Sequence, residues 1–101
     1  MEKRRPTYEL ASFQAAYANP ATRLTTRTAI RDAQRLGFGR DDVVRAVLSM
    51  RREHFVKSMT SHADHRIWQD VYNVPFEGLV FYVKFTADRL TGFRLLSFKE
   101  R

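Results

Sequence analysis

The segment from Leu79 to Thr86 carries the cleanest pattern in the chain. Leu79, Phe81, Val83 and Phe85 alternate with Val80, Tyr82, Lys84 and Thr86, and a period of two predicts a strand with one face buried. Phe55–Thr60 and Ile67–Tyr72 are shorter runs rich in aromatic, β-branched and Thr residues, and they predict two further strands. The polar stretch Ser61–Arg66 between them has the length of a hairpin loop. Phe93–Lys99 reads as the last strand, reached through a loop at Ala87–Gly92, and Asn73–Gly78 reads as a turn-rich connection.

Earlier in the chain the period becomes helical. Tyr8–Ala18 predicts a helix with Thr7 as N-cap, Leu10, Phe13 and Tyr17 on one face, and Asn19-Pro20 as its stop. Arg27–Leu36 predicts a second, capped by Thr26, with Ala29, Ile30, Ala33 and Leu36 facing inward and Gly37 taking the left-handed C-terminal position. Its outer stripe of Arg27, Arg31 and Arg35 reads as a solvated face. Asp41 and Asp42 place negative charge at the start of a third helix, whose buried side is Val43, Val44, Val47, Leu48 and Met50. A short strand near Arg23-Leu24 is a further expectation. The predicted order is three helices followed by four strands in two hairpins. That is an α+β domain spanning residues 1–101, an antiparallel sheet with its helices packed on one face.

Composition narrows what such a domain does. The 101 residues are 44% hydrophobic and contain no cysteine, which favours a folded core and excludes disulfides, thiolate metal sites and cysteine nucleophiles. No apolar run is long enough to span a bilayer, and Met1–Pro6 is not followed by an apolar signal segment. The expectation is a cytoplasmic protein with no membrane partner. Eighteen Lys and Arg against eleven Asp and Glu give a net charge of +7. Dispersed positive charge on a folded surface points to nucleic acid as partner, with an acidic protein partner as the alternative.

Candidate chemistry is sparse, which helps. No glycine-rich phosphate loop precedes a helix, so nucleoside triphosphate use is not expected. His62, Asp64 and His65 are ligand types, but residues crowded into one short loop seldom converge on a tetrahedral ion. A turn in which Asp64 bonds nearby backbone is the expectation, with no metal or other cofactor. His65 has a suitable pKa for proton transfer. Trp68 could stack on a base, although an edge or core aromatic is the simpler account. Lys57, Gln69, Tyr82, Lys84, Arg94 and Lys99 are the polar residues left on predicted strands. Cleaving RNA without a metal requires deprotonation of a 2′-hydroxyl, neutralisation of the phosphate and protonation of the 5′-oxygen. Lys and Tyr can serve those needs and Gln can orient substrate. The same set is equally coherent for plain RNA binding.

The run KSMTSHADHRIWQDVY, with MEKR at the start, LTTRTA at 24–29, FYVK at 81–84 and SFKE at 97–100, resembles the motility quorum-sensing regulator toxins, the messenger-RNA-cleaving members of bacterial type II toxin–antitoxin pairs. The resemblance implies a RelE-like twisted antiparallel sheet with helices against it. It implies a catalytic set of Lys57, Gln69, Tyr82 and Lys99; Lys84, Arg94 and His65, read from the residues themselves, are weaker RNA-binding candidates. It also implies cleavage of free messenger RNA at GCU-like sites and neutralisation by an antitoxin protein, through which the toxin would reach operator DNA. The chain departs from the family at Val56, where the best-known members carry Tyr, and in the final hairpin, RLTGFRLL. The alternatives from other classes are a non-catalytic nucleic-acid-binding regulator and a protein-interaction domain. Strict alternation adds a tension, since it puts Lys57 on the same face as Phe55.

Overall fold

The computed structural model describes residues 1–101. A five-stranded antiparallel sheet runs in the order β1 (Glu2–Lys3), β2 (Phe55–Thr60), β3 (Trp68–Phe76), β4 (Leu79–Asp88) and β5 (Gly92–Glu100). Three helices, α1 (Leu10–Ala18), α2 (Arg27–Arg35) and α3 (Arg40–Ser49), lie between β1 and β2 in sequence and pack on one face of the sheet. The expected α+β layering holds, with one strand more than the pattern predicts.

The alternation of β4 decides the layering. Phe81, Val83 and Phe85 are buried and meet Phe13 and Tyr17 of α1, Ala29 and Ala33 of α2, and Val43, Ala46 and Val47 of α3. Phe13 stacks on Phe85 at 3.8 Å between ring centres, and Phe81 on Phe98 at 4.5 Å. Large rings filling a thin layer between sheet and helices bury much apolar area per residue. Two residues read as core in α3 are not alike: Met50 is buried, whereas Leu48 is exposed.

Caps and turns account for most element ends. Thr26 Oγ1 accepts from Ala29 N and starts α2, and Gly37 follows at φ 82°, as the sequence predicts. Thr7, by contrast, does not cap α1, which begins at Leu10. Its side chain is spent on Ser58 Oγ at 2.6 Å, while Thr7 N and Tyr8 N donate to the fully buried Asp70 carboxylate at 2.9–3.1 Å. The approach to α1 is thereby bolted to β2 and β3.

The Asn73–Gly78 connection is a correction. β3 continues through Pro75 to Phe76, and the hairpin turns on two residues alone, Glu77 at φ 52° and Gly78 at φ 79°, the left-handed pair that matches strand twist. Pro75 is tolerated because Val80, opposite it, turns its carbonyl to Arg101 N on the far side. The missing N–H of Pro75 therefore faces a flank that β2 no longer covers. The strand expected near Arg23-Leu24 reduces to a parallel bridge between Thr25 and Leu95, which covers part of the outer edge of β5.

Candidate active site on the open sheet face

The sheet face away from the helices carries the polar strand residues. Its position is set by register and by one irregularity. Phe55 pairs with Tyr72 and Lys57 pairs with Val71, so the ladder slips by a residue at Val56. Such a bulge reverses the facing of everything beyond it. Phe55 packs inward on Tyr72, with ring centres 5.4 Å apart, while Lys57 and Met59 turn to the open face. This corrects the expectation that Lys57 shares a face with Phe55. Arg4 reaches the freed carbonyl of Val56 at 3.5 Å.

Two cross-strand rows then define the site. One runs Lys57, Val71, Lys84, Ser97; the next runs Asn73, Tyr82, Lys99. Opposed side chains in such rows start about 5 Å apart, and the rows are separated by about 7 Å. Gln69 lies beside them, opposite Met59. Lys57, Gln69, Tyr82 and Lys99, four residues distant in sequence, thus come together on one helix-free surface with Lys84 at their centre. Val71, paired with Lys57 on one side and Lys84 on the other, is only 1% exposed.

The free groups here are unusual for so ordered a sheet. Lys57 Nζ donates to Glu2 Oε2 at 2.9 Å, and that contact holds the Glu2 carboxyl below its usual range. Lys99 Nζ sits 5.4 Å from the centre of the Tyr82 ring. The side chains of Gln69, Tyr82, Lys84 and Lys99 make no hydrogen bond or salt bridge within the protein, yet the one buried side-chain polar atom without a partner is Tyr72 Oη on the other face. The groups on the open face are therefore available to a ligand and not sealed in. Burial, and then the neighbouring Lys99 charge, pull the Lys84 ammonium below the usual lysine range. What the arrangement can do chemically is grip a phosphate with several cations while a phenol and an amide orient the groups around it.

The remaining candidates fall outside the cluster. Arg94 pairs with Thr86 on the same face toward the Asp88–Gly92 end. His65 is exposed in the β2–β3 loop. In that loop Asp64 accepts from the Arg66 backbone at 2.9 Å and from its guanidinium at 3.1 Å, the expected satisfied turn. No three His, Asp or Glu side chains converge in the manner of a metal site. Trp68 is an edge aromatic, half-buried under the Lys3 ammonium at 4.2 Å. Glu2, Asn73 and Ser97 are members of the site that sequence reasoning missed. Only the MEKR block hinted at Glu2, since its strand is two residues long and pairs across more than fifty positions.

Comparison with known proteins identifies the family. Residues 5–100 match the family described as motility quorum-sensing regulator, toxin of MqsA. The mRNA interferase toxin MqsR of Escherichia coli (strain K12) is 35% identical over 101 residues, covering the whole of both chains. With residues 5–100 matched by the family and a relative 35% identical over the full length of both chains, the chain belongs to the MqsR toxin family.

Proposed function

We propose that this protein is the toxin of a type II toxin–antitoxin pair, an endoribonuclease that cleaves messenger RNA at short GCU-like sequences without a metal ion and so stops translation and growth. The observation that carries the reading is the convergence of Lys57, Gln69, Tyr82 and Lys99 on the open sheet face through the Val56 bulge. Lys57 and Lys99 neutralise the charge that builds on the phosphate oxygens as the 2′-oxygen attacks phosphorus. A fixed cation in a partly dry site is worth more there than in water, and no reorganisation is needed at the moment of reaction. Tyr82, beside Lys99, hydrogen-bonds the phosphate. The Gln69 amide, free of internal partners, holds the nucleotide. The protein acts in the bacterial cytoplasm, and an antitoxin protein neutralises it and links it to operator DNA.

The deciding experiment is a time course of purified protein on a long defined messenger RNA, without ribosomes and with EDTA, the cuts mapped by primer extension. Discrete cuts at one short sequence are expected from the native protein. Lys57→Ala and Tyr82→Phe should each lower the rate at least about 100-fold, with circular dichroism and Tm close to native because neither side chain enters the core. Loss of all cutting in EDTA would refute the metal-free mechanism. Tight, salt-sensitive binding with no cuts would leave a nucleic-acid-binding regulator.

A further inference from the structure

Three lysines share the open face, and two of them have company. The Glu2 carboxylate stands 2.9 Å from Lys57 Nζ, and the Tyr82 ring lies under Lys99 Nζ. A carboxylate and a π face both favour the charged ammonium. Lys84 has neither. It sits half-buried on β4, one strand in from the sheet edge at β5, opposite Val71 on one side and Ser97 on the other. No carboxylate or carbonyl accepts from it. The charged or titratable groups that face it are Lys57 across Val71, Lys99 on the next row, and Tyr82 two residues before it on the same strand. A cation in that position is poorly solvated and repelled until an anion arrives. Burial, and then the Lys99 charge, loosen its hold on the proton.

We propose that Lys84 is a catalytic residue of this site, binding the scissile phosphate between Lys57 and Lys99 and donating the proton that the leaving 5′-oxygen requires. This rests on the ribonuclease reading of the face. In the step, the 2′-hydroxyl loses its proton to solvent and the O2′–P bond forms. The P–O5′ bond breaks with its electron pair on O5′, and Lys84 protonates that oxygen. The products are a 2′,3′-cyclic phosphate end and a 5′-hydroxyl end, and the neutral Lys84 amine regains a proton from water, so the turnover is proton-neutral. As the phosphate docks, its charge stabilises the ammonium; as O5′ departs, the developing alkoxide draws the proton away.

The test uses an oligoribonucleotide spanning a cut site mapped with the native protein, and the same oligonucleotide with sulfur in place of that 5′-oxygen. A thiolate leaves without being protonated, so a missing general acid no longer matters. Lys84→Ala is expected to lose about 100-fold or more on the oxygen substrate and to recover most of that loss on the sulfur substrate, keeping only the smaller deficit of one missing phosphate contact. Lys84→Arg, which keeps the charge and holds its proton too tightly, should be slow on oxygen and near-native on sulfur. Equal losses on both substrates, or a full rate for Lys84→Arg on oxygen, would overturn the proton-donor role. Failure of the native protein to cut any RNA would instead remove the ribonuclease reading beneath it.

Discussion

Val56 has no partner of its own in the β2–β3 ladder, and that one extra residue sets Phe55 and Lys57 on opposite faces. Deleting Val56 would remove the extra residue and leave Phe55 and Lys57 as direct neighbours opposite Tyr72 and Val71, so plain alternation would keep Lys57, Met59 and the Glu2 contact on the open face without a bulge. The expected outcome is RNA cleavage within about tenfold of native, read by primer extension; its loss with an unchanged Tm would show that the twist of the bulge, and not facing alone, positions Lys57. Lys84 behaves differently. Its ordinary value is 10.5, and the fold lowers it. Between the lowered value and 10.5 the unfolded chain binds more protons than the folded one, so stability rises with pH across that window. Below both values the lysine costs the fold its full desolvation. Lys84→Met should therefore raise the Tm of the free protein slightly at neutral pH while RNA cleavage falls at least about 100-fold. A lower Tm in this variant would show that Lys84 stabilises the sheet.

At the scale of elements, periodicity carried most of the information that reached the sequence. The alternation from Leu79, the Thr26 cap and the Gly37 stop each reflect a local rule, and each stands in the structure. What stayed hidden depends on partners far along the chain. β1 is two charged residues whose strand character comes wholly from pairing with Ser58 and Met59. Asn73 and Pro75 carry turn propensities that tertiary context overrides, because β4 supplies partners and β2 has ended. Thr7 reads as a helix cap until the buried Asp70 is known to receive the two backbone N–H groups beside it. That anchor is testable. Asp70→Ala leaves the Thr7 and Tyr8 amides without acceptors, at a cost of roughly 3 kcal/mol, or a Tm lower by roughly 10–20 °C. A melt within 2–3 °C of native (the shift of about 0.5 kcal/mol) would mean that water replaces the carboxylate there. The candidate site was legible as a set of residue types and blocks, but its assembly required the bulge and the register, which no local pattern records.

Across the whole molecule, the net charge of +7 is unevenly spent. Several acidic groups are tied to nearby cations: Asp42 and Glu77 to Arg45, Asp64 to Arg66, and Asp32 to Arg31 and Arg35. On the open face only Glu2 opposes the three lysines, and it meets Lys57 alone. The α2 stripe of Arg27, Arg31 and Arg35 is the competing basic surface, exposed on the opposite side of the sheet. If RNA lies on the open face, three lysine–phosphate contacts predict that log K falls with log salt at a slope near −2, about −0.7 for each contact with a single strand. Anisotropy titrations on an RNA carrying a 2′-deoxy sugar at the mapped cut measure this without cleavage. Lys99→Ala should flatten the slope by about 0.7, while Arg31→Ala and Arg35→Ala should leave it unchanged. Equal flattening by the arginine variants would place the RNA across the helices, and the open face would lose its claim to the substrate.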